Sequence, residues 1–345
     1  VTHLVHGMGR EPAEPDWPPL TAAELGFLPG AEIGWHSPRP MSAAALVRWD
    51  GRTVFVKRHH RRVRNGAQLA AEHAFGTYLR ERGQPVPQAM RLERRGEYWY
   101  EVFSVVAGLD VYRDAVSWSP YLNRGHAAAA GAALARLHLA AAGFGGAERP
   151  FGPLMTSTAV VVASDPAVAL TRLAAAWPGL ARYRSLAADF ERHVLPLIWG
   201  AAPALRYASS QWGHGDWHPS NLSWTSAGPD AQVAGVFDLG LANRTSALHD
   251  LAIAVERSMV SWLDMPHAVV DEAMTGVLLD GYQSVRPLTD AERAALWLVL
   301  PVVHVEYALS EIEYFAGVLD CAVNADLAYD YLIGHARWFA ARCGR

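Results

Sequence analysis

The stretch HGDWHPSN, residues 214–221, gathers side chains that could do chemistry. It is too rich in turn formers for a helix or a strand. A carboxylate held on such a tight loop, Asp216, can take a proton from an attacking hydroxyl. Asn221 follows five residues later, and Asp238 comes in VFDLG after one more short hairpin. An amide oxygen and a second carboxylate are hard donors of the kind magnesium takes. Lys57, in VFVKRHH (54–60), is the only lysine among 30 Lys and Arg residues. Arginine is a broad planar fork, whereas lysine is a compact charge on a slim stem, which suits a phosphate held between strands. Glu72 stands fifteen residues beyond Lys57, where a helix carboxylate could fix that ammonium. A base, two oxygen donors and a paired lysine are the parts used in phosphoryl transfer, where the protein mainly positions groups and neutralises charge.

The elements that must hold these residues read as two lobes. AEIGWH, AALVRWD and RTVFVKRH are short β-rich runs, and WDGRT is a hairpin with an Asp-Gly turn. Helical spacing covers 67–83, with Gly83 as a stop, and MRLERRGEYWYEVFS reads as a second hairpin. The pattern β-β-β-α-β-β gives a small antiparallel sheet with one helix. After Gly108 the chain turns helical, over 127–144, most of 167–200 and 250–342, with a capping box at Thr289–Glu292. Residues 211–240 interrupt this as strand, loop, strand, loop. The expected division is residues 1–107 as a nucleotide-binding lobe and 108–345 as a helical lobe carrying the loop and the acceptor site.

Composition narrows the classes. The chain has 345 residues, too many for one core, with 51% hydrophobic and 19% charged residues and a net charge of −4. That balance argues against a nucleic-acid partner. Cys321 and Cys343 are too few for a disulfide framework, and no Cys/His cluster has zinc spacing. The first residues lack a basic segment followed by an apolar one, so they do not read as a signal peptide. No apolar run reaches the ~20 residues a bilayer needs, and LWLVLPVV (296–303) should break at Pro301. The expectation is a cytoplasmic protein with no membrane partner.

Taken in order, VFVK (54–57), Glu72, GAALARLH (131–138), HGDWHPSN (214–221), VFDLG (236–240) and HDLA (249–252) resemble the aminoglycoside phosphotransferase and choline kinase-like family. The resemblance spans roughly residues 30–255. It implies an α+β, protein-kinase-like fold of two lobes, and an enzyme that moves the γ-phosphate of ATP to a hydroxyl of a small-molecule acceptor with Mg2+. GTP in place of ATP is left open, because the hinge meets the base through backbone. The resemblance makes Asp216 the catalytic base, Asn221 and Asp238 the magnesium ligands, and Lys57 with Glu72 the phosphate-holding pair. His214, His218 and Asp250 support the loop. The backbone near Phe103 and Val105 is the hinge for the base.

The chain departs from the pattern between its first two strands. Residues 34–47 hold one glycine, Gly34, and two prolines instead of G-x-G-x-x-G, which leaves Ser42, Ser37 or nearby backbone to meet phosphate. The basic run 57–64 is either a solvated loop or a contact for an anion. His304, Tyr307 and Glu311 share one face of a helix and are candidates for acceptor contacts, with an amine-bearing acceptor in view. The plain alternative there is a surface helix. Trp262 and Asp264 are weaker candidates of the same kind. Two other functions stay open: a catalytically inactive nucleotide binder, and a protein Ser/Thr kinase, although no A-P-E segment is apparent. The acceptor and the oligomeric state are not legible.

Overall fold

The structure is a computed structural model and describes residues 15–115, 117–262 and 268–342. The first residues, Asp264 and Cys343 therefore lie outside the described residues. Five antiparallel strands form the first sheet: β1 (Glu32–His36), β2 (Ala43–Trp49), β3 (Arg52–His60), β4 (Ala89–Arg95) and β5 (Tyr98–Ser104), in the order β1-β2-β3-β5-β4. The β2–β3 turn is tight because Asp50 and Gly51 both adopt positive φ, which Asp and Gly tolerate better than most residues. Alternation along β3 sends Val54 and Val56 to one face and Lys57 to the other. The valine face is sealed by Leu20, Leu25, Phe27 and Leu28 from the preceding segment, forming a separate small core.

Helix α1 (Gly66–Glu81) starts at a capping box in which Asn65 and Gln68 satisfy each other's backbone N–H, and Gly83 beyond its end sits at φ +76°. Its residue Phe75 packs against Phe144 and Trp212, so the helix joins the sheet to the larger core.

That core is mainly helical: α2 (Arg124–Ala141), α3 (Pro166–Ala176), α4 (Leu186–Asp189), α5 (Leu195–Tyr207), α6 (Ala247–Met259), α7 (Glu272–Gln283), α8 (Asp290–Val299), α9 (Val305–Ile312) and α10 (Ala322–Arg342). Alanines and Gly131 on α2, with Gly281 on α7, let these two helices come close; a Cβ at Gly131 would lie 2.0 Å from Leu278 O. Two short ribbons, β6 (Ser210–Gly213) with β9 (Asn243–Ser246) and β7 (Leu222–Trp224) with β8 (Val233–Val236), are embedded among the helices. The α+β, protein-kinase-like fold expected from the sequence is the one observed.

The α-helix breaks at Pro301 as expected: α8 ends at Val299, Leu300–Val302 form a 3-10 turn, where a proline N–H is not needed, and α9 begins at Val305. Two other expectations are corrected. The run Asp290–Val318 is, by length and composition alone, long and apolar enough to cross a membrane, but 83% of its apolar window is buried inside the protein, as in a core helix. The helix carrying Tyr307 and Glu311 is likewise no surface helix, since every residue of α9 is buried.

Candidate active site

The loop after β6 is shaped by one buried carboxylate. Asp250, in the first turn of α6, has no solvent exposure. It accepts the backbone N–H of His214 and of Gly215 at 2.7 Å each, and His138 Nε2 lies 2.9 Å from it. The other His138 nitrogen meets the Tyr282 hydroxyl at 2.8 Å. Burial works against the charge, yet the bonds from His138 and the backbone hold the Asp250 carboxyl below its ordinary pKa. Gly215 is required on two counts: its φ is +77°, and a Cβ would lie 2.4 Å from Leu241 O. The His214 tautomer follows from its partners. The Asp216 N–H donates to Nδ1 at 3.2 Å, so Nε2 carries the proton and donates to Phe237 O at 3.0 Å.

This scaffold presents Asp216 to a cleft lined also by Ser42, Lys57, Asn221, Asp238 and Tyr307. The Asn221 amide nitrogen donates to Asp216 O at 2.9 Å and to its Oδ2 at 3.1 Å. That leaves the amide oxygen of Asn221 for a cation. Arg257 donates to Asp216 Oδ1, its guanidinium lying 4.8 Å from the Trp118 ring centre and 4.6 Å from that of Tyr307. His218 Nε2 stands 3.5 Å from Oδ2. Burial opposes ionisation of Asp216, but Arg257 and His218 hold it well below the usual carboxylate range.

Asp238 follows β8 in a left-handed conformation (φ 58°), sparsely populated for a residue with a Cβ. Its Oδ1 accepts Lys57 Nζ at 2.9 Å and the Gly240 N–H at 3.3 Å. Despite burial, Asp238 and Glu72 raise the Lys57 pKa, so the ammonium is charged. The surrounding carbonyls are fixed by two buried arginines. Arg149 donates to Gly240 O and Ala242 O, and Arg64 to Leu154 O and Gly240 O.

The expected Lys57–Glu72 pair is therefore not a direct contact. Lys57 bonds to Asp238, while Glu72 takes Arg149 at 3.5 Å and acts on Lys57 only through its charge. Burial and the neighbouring Glu101 push the Glu72 carboxyl up to about 7. Glu101, opposite Lys57 across the β3–β5 register, bonds to His59 and His73; burial opposes its charge, but these two histidines hold it low.

Ser42 lines the cleft, whereas the Ser37 hydroxyl accepts the Arg39 N–H. Phe103 lies in β5, and Val105 follows the strand with its side chain half exposed. Of the acceptor candidates, Tyr307 reaches the cleft; His304 and Glu311 are buried near Arg257. Trp262 is buried too. The basic run 57–64 is neither a solvated loop nor wholly a ligand site. Arg58 pairs with Glu24, Arg61 with Glu97, and Arg62 donates to the carbonyls of Gly317 and Val318. Sequence reading missed Glu101, Arg149 and Arg257, whose partners lie 28 to 93 residues away and leave no local pattern.

The phosphotransferase enzyme family model matches residues 42–288 of the chain. A homoserine kinase of Gluconacetobacter diazotrophicus is 34% identical over 190 residues, which is 52% of this chain and 50% of that protein. A homoserine kinase of Gluconobacter oxydans is 28% identical over 180 residues, 48% of this chain and 46% of that protein. The chain thus spans about half the length of the curated relatives it matches. Among solved structures it is similar to an aminoglycoside-3'-phosphotransferase of type VIII, with a TM-score of 0.50 and 20% identity over 80% of this chain and 95% of that one. It is also similar to wild-type aminoglycoside 2'-phosphotransferase-IIIa in its GDP complex, with a TM-score of 0.53 and 12% identity over 91% of this chain and 94% of that one. At such identities these likenesses speak to the fold alone.

Proposed function

We propose a reaction for this chain, which belongs to the phosphotransferase enzyme family: transfer of the γ-phosphate of ATP to a hydroxyl of a small-molecule acceptor. The observation that carries this is the meeting of Asp216, Asn221, Asp238 and Lys57 on one cleft from three separate stretches of sequence. In this reading residues 1–107 hold the nucleotide, with the backbone at Phe103–Val105 facing the base and Ser42 near the phosphates. Residues 108–345 bring the acceptor. Asn221 and Asp238 suit magnesium, whose charge offsets that of the β- and γ-phosphates when it is bound. Lys57 supplies a fixed positive charge to the α- and β-phosphates.

Asp216 orients the acceptor hydroxyl and takes its proton. Its low pKa makes it a weak base, ionised across the neutral range. That is adequate where the transferring group is loosely bound to both oxygens and the proton leaves late. The hydroxyl must share the carboxylate with Arg257, which is buried and braces Asp216 through Oδ1. Among the described residues, the carboxylates lining the cleft are Asp216 and Asp238, against Arg39, Lys57 and Arg64. A polycationic acceptor would meet mostly like charge. The lining instead favours a small acceptor with an anionic group, a hydroxylated amino acid, in keeping with the names of the two curated relatives.

The test is phosphate transfer from magnesium-ATP, and separately from GTP, to homoserine, threonine, choline and an aminoglycoside. Turnover with a hydroxylated amino acid is expected. Turnover confined to the aminoglycoside would reject the acceptor class. Nucleotide binding without transfer to any of them would turn the reading toward an inactive binder.

A further inference from the structure

Behind Arg257 lies a group of side chains that the proposed reaction does not use. Glu256 of α6, His304 just before α9, and His335 of α10 each present a ligand-type atom, all within 4.8 Å of one another. Their exposures are 2%, 5% and 2%. Four atoms here have no hydrogen-bond partner: Glu256 Oε1, His304 Nε2, and both ring nitrogens of His335. Leaving one buried polar atom unpaired costs about 1–3 kcal/mol, so such a cluster marks a missing occupant, and a single ion would take one nitrogen of each ring. The rings also press together. His304 and His335 have centroids 4.2 Å apart, and Trp262 covers His335 at 3.7 Å.

We propose that Glu256, His304 and His335 form a binding site for a divalent transition-metal ion of the zinc class. Two imidazoles and one carboxylate are a donor set such an ion takes, with a fourth position left for water. Zinc bonds of about 2.1 Å set donors roughly 3.4 Å apart. Glu256 Oε1 and His304 Nδ1 stand at 3.7 Å and all three ligand-type atoms lie within 4.8 Å of one another, so closure draws them together by roughly 1.4 Å at most. The ion would tie α6, the start of α9 and α10 together one residue from Arg257, and thereby steady the side of the cleft that faces the acceptor. The site is invisible in the sequence because its members are separated by 48 and 31 residues.

The experiment is cobalt titration of the chelator-stripped full chain, in excess magnesium to occupy the nucleotide's own cation site, followed by visible absorption and elemental analysis. One equivalent of cobalt per chain is expected, with the visible bands of nitrogen ligation, and zinc should displace it. His335→Gln and Glu256→Gln, checked for folding by circular dichroism, should weaken binding by about a hundredfold or more. Should either variant fail to fold, the wild type alone decides: its Tm should rise by several degrees on adding zinc but not on adding more magnesium. No stoichiometric cobalt or zinc in the wild type, or the same spectrum and affinity in folded His335→Gln, would overturn the proposal and leave the space to water.

Discussion

Replacing Asp250 with asparagine tests how the loop bearing Asp216 is held. The side chain volume is conserved, but one oxygen acceptor becomes an NH2 facing donors. Asp250 receives two backbone N–H groups at 2.7 Å and His138 at 2.9 Å. At least one donor is then orphaned in a site with no solvent, at about 1–3 kcal/mol, and the remaining bonds lose their charge assistance. The sum is about 2–4 kcal/mol, a large share of a typical 5–15 kcal/mol. It should appear in urea unfolding at pH 7, with a fall in kcat of about 10–100-fold as Asp216 loses its position. The pH dependence has a definite sign. The folded Asp250 pKa lies below the ordinary 3.8. Its contribution is therefore complete above the ordinary aspartate range and is lost as pH falls through the lower folded value. The gap between wild type and variant should close in acid. A gap under about 0.5 kcal/mol at pH 7 would mean that Asp250 does not hold the loop, since surface substitutions alone reach that size.

Further outcomes follow from the same geometry. Lys57→Arg should lower kcat/KM by about 10²–10³-fold, because the fork cannot replace a point charge beside Asp238; steady-state kinetics would check this. Gly215→Ala should cost at least about 2 kcal/mol in thermal unfolding, since the alanine meets both a positive φ and the Leu241 carbonyl. In Arg257→Met the burial of Asp216 goes unopposed by its main cation, so its pKa rises. The acid limb of kcat/KM against pH should therefore move upward by a unit or more relative to wild type; an unmoved limb would mean Arg257 does not govern Asp216.

Much of this fold was legible because local rules agree with it. The Asp50-Gly51 turn, the β-rich run of β3, the capping box at Thr289 and the turn-rich loop around Asp216 each have short-range causes. The order of chemical residues along the chain was legible for the same reason. What was hidden depends on distant partners. The preference of Lys57 for Asp238, 181 residues away, over Glu72 is decided by how the DLG turn docks on β3. The burial of α9 follows from α10 packing along it, with Arg257 of α6 over Tyr307, which no charge pattern along 301–315 reveals. Arg64 and Arg149 look like surface charges in sequence, yet both lie buried against backbone carbonyls of the Asp238 loop.

The central claim is that Asp216 serves the transfer step and not nucleotide binding. Single-turnover transfer from magnesium-ATP to the best acceptor, measured for wild type and Asp216→Asn beside nucleotide affinity by calorimetry, tests it most directly. Nucleotide affinity should stay within about twofold while transfer slows by about 10²–10⁴-fold. Transfer within tenfold of wild type, with nucleotide still bound, would contradict it.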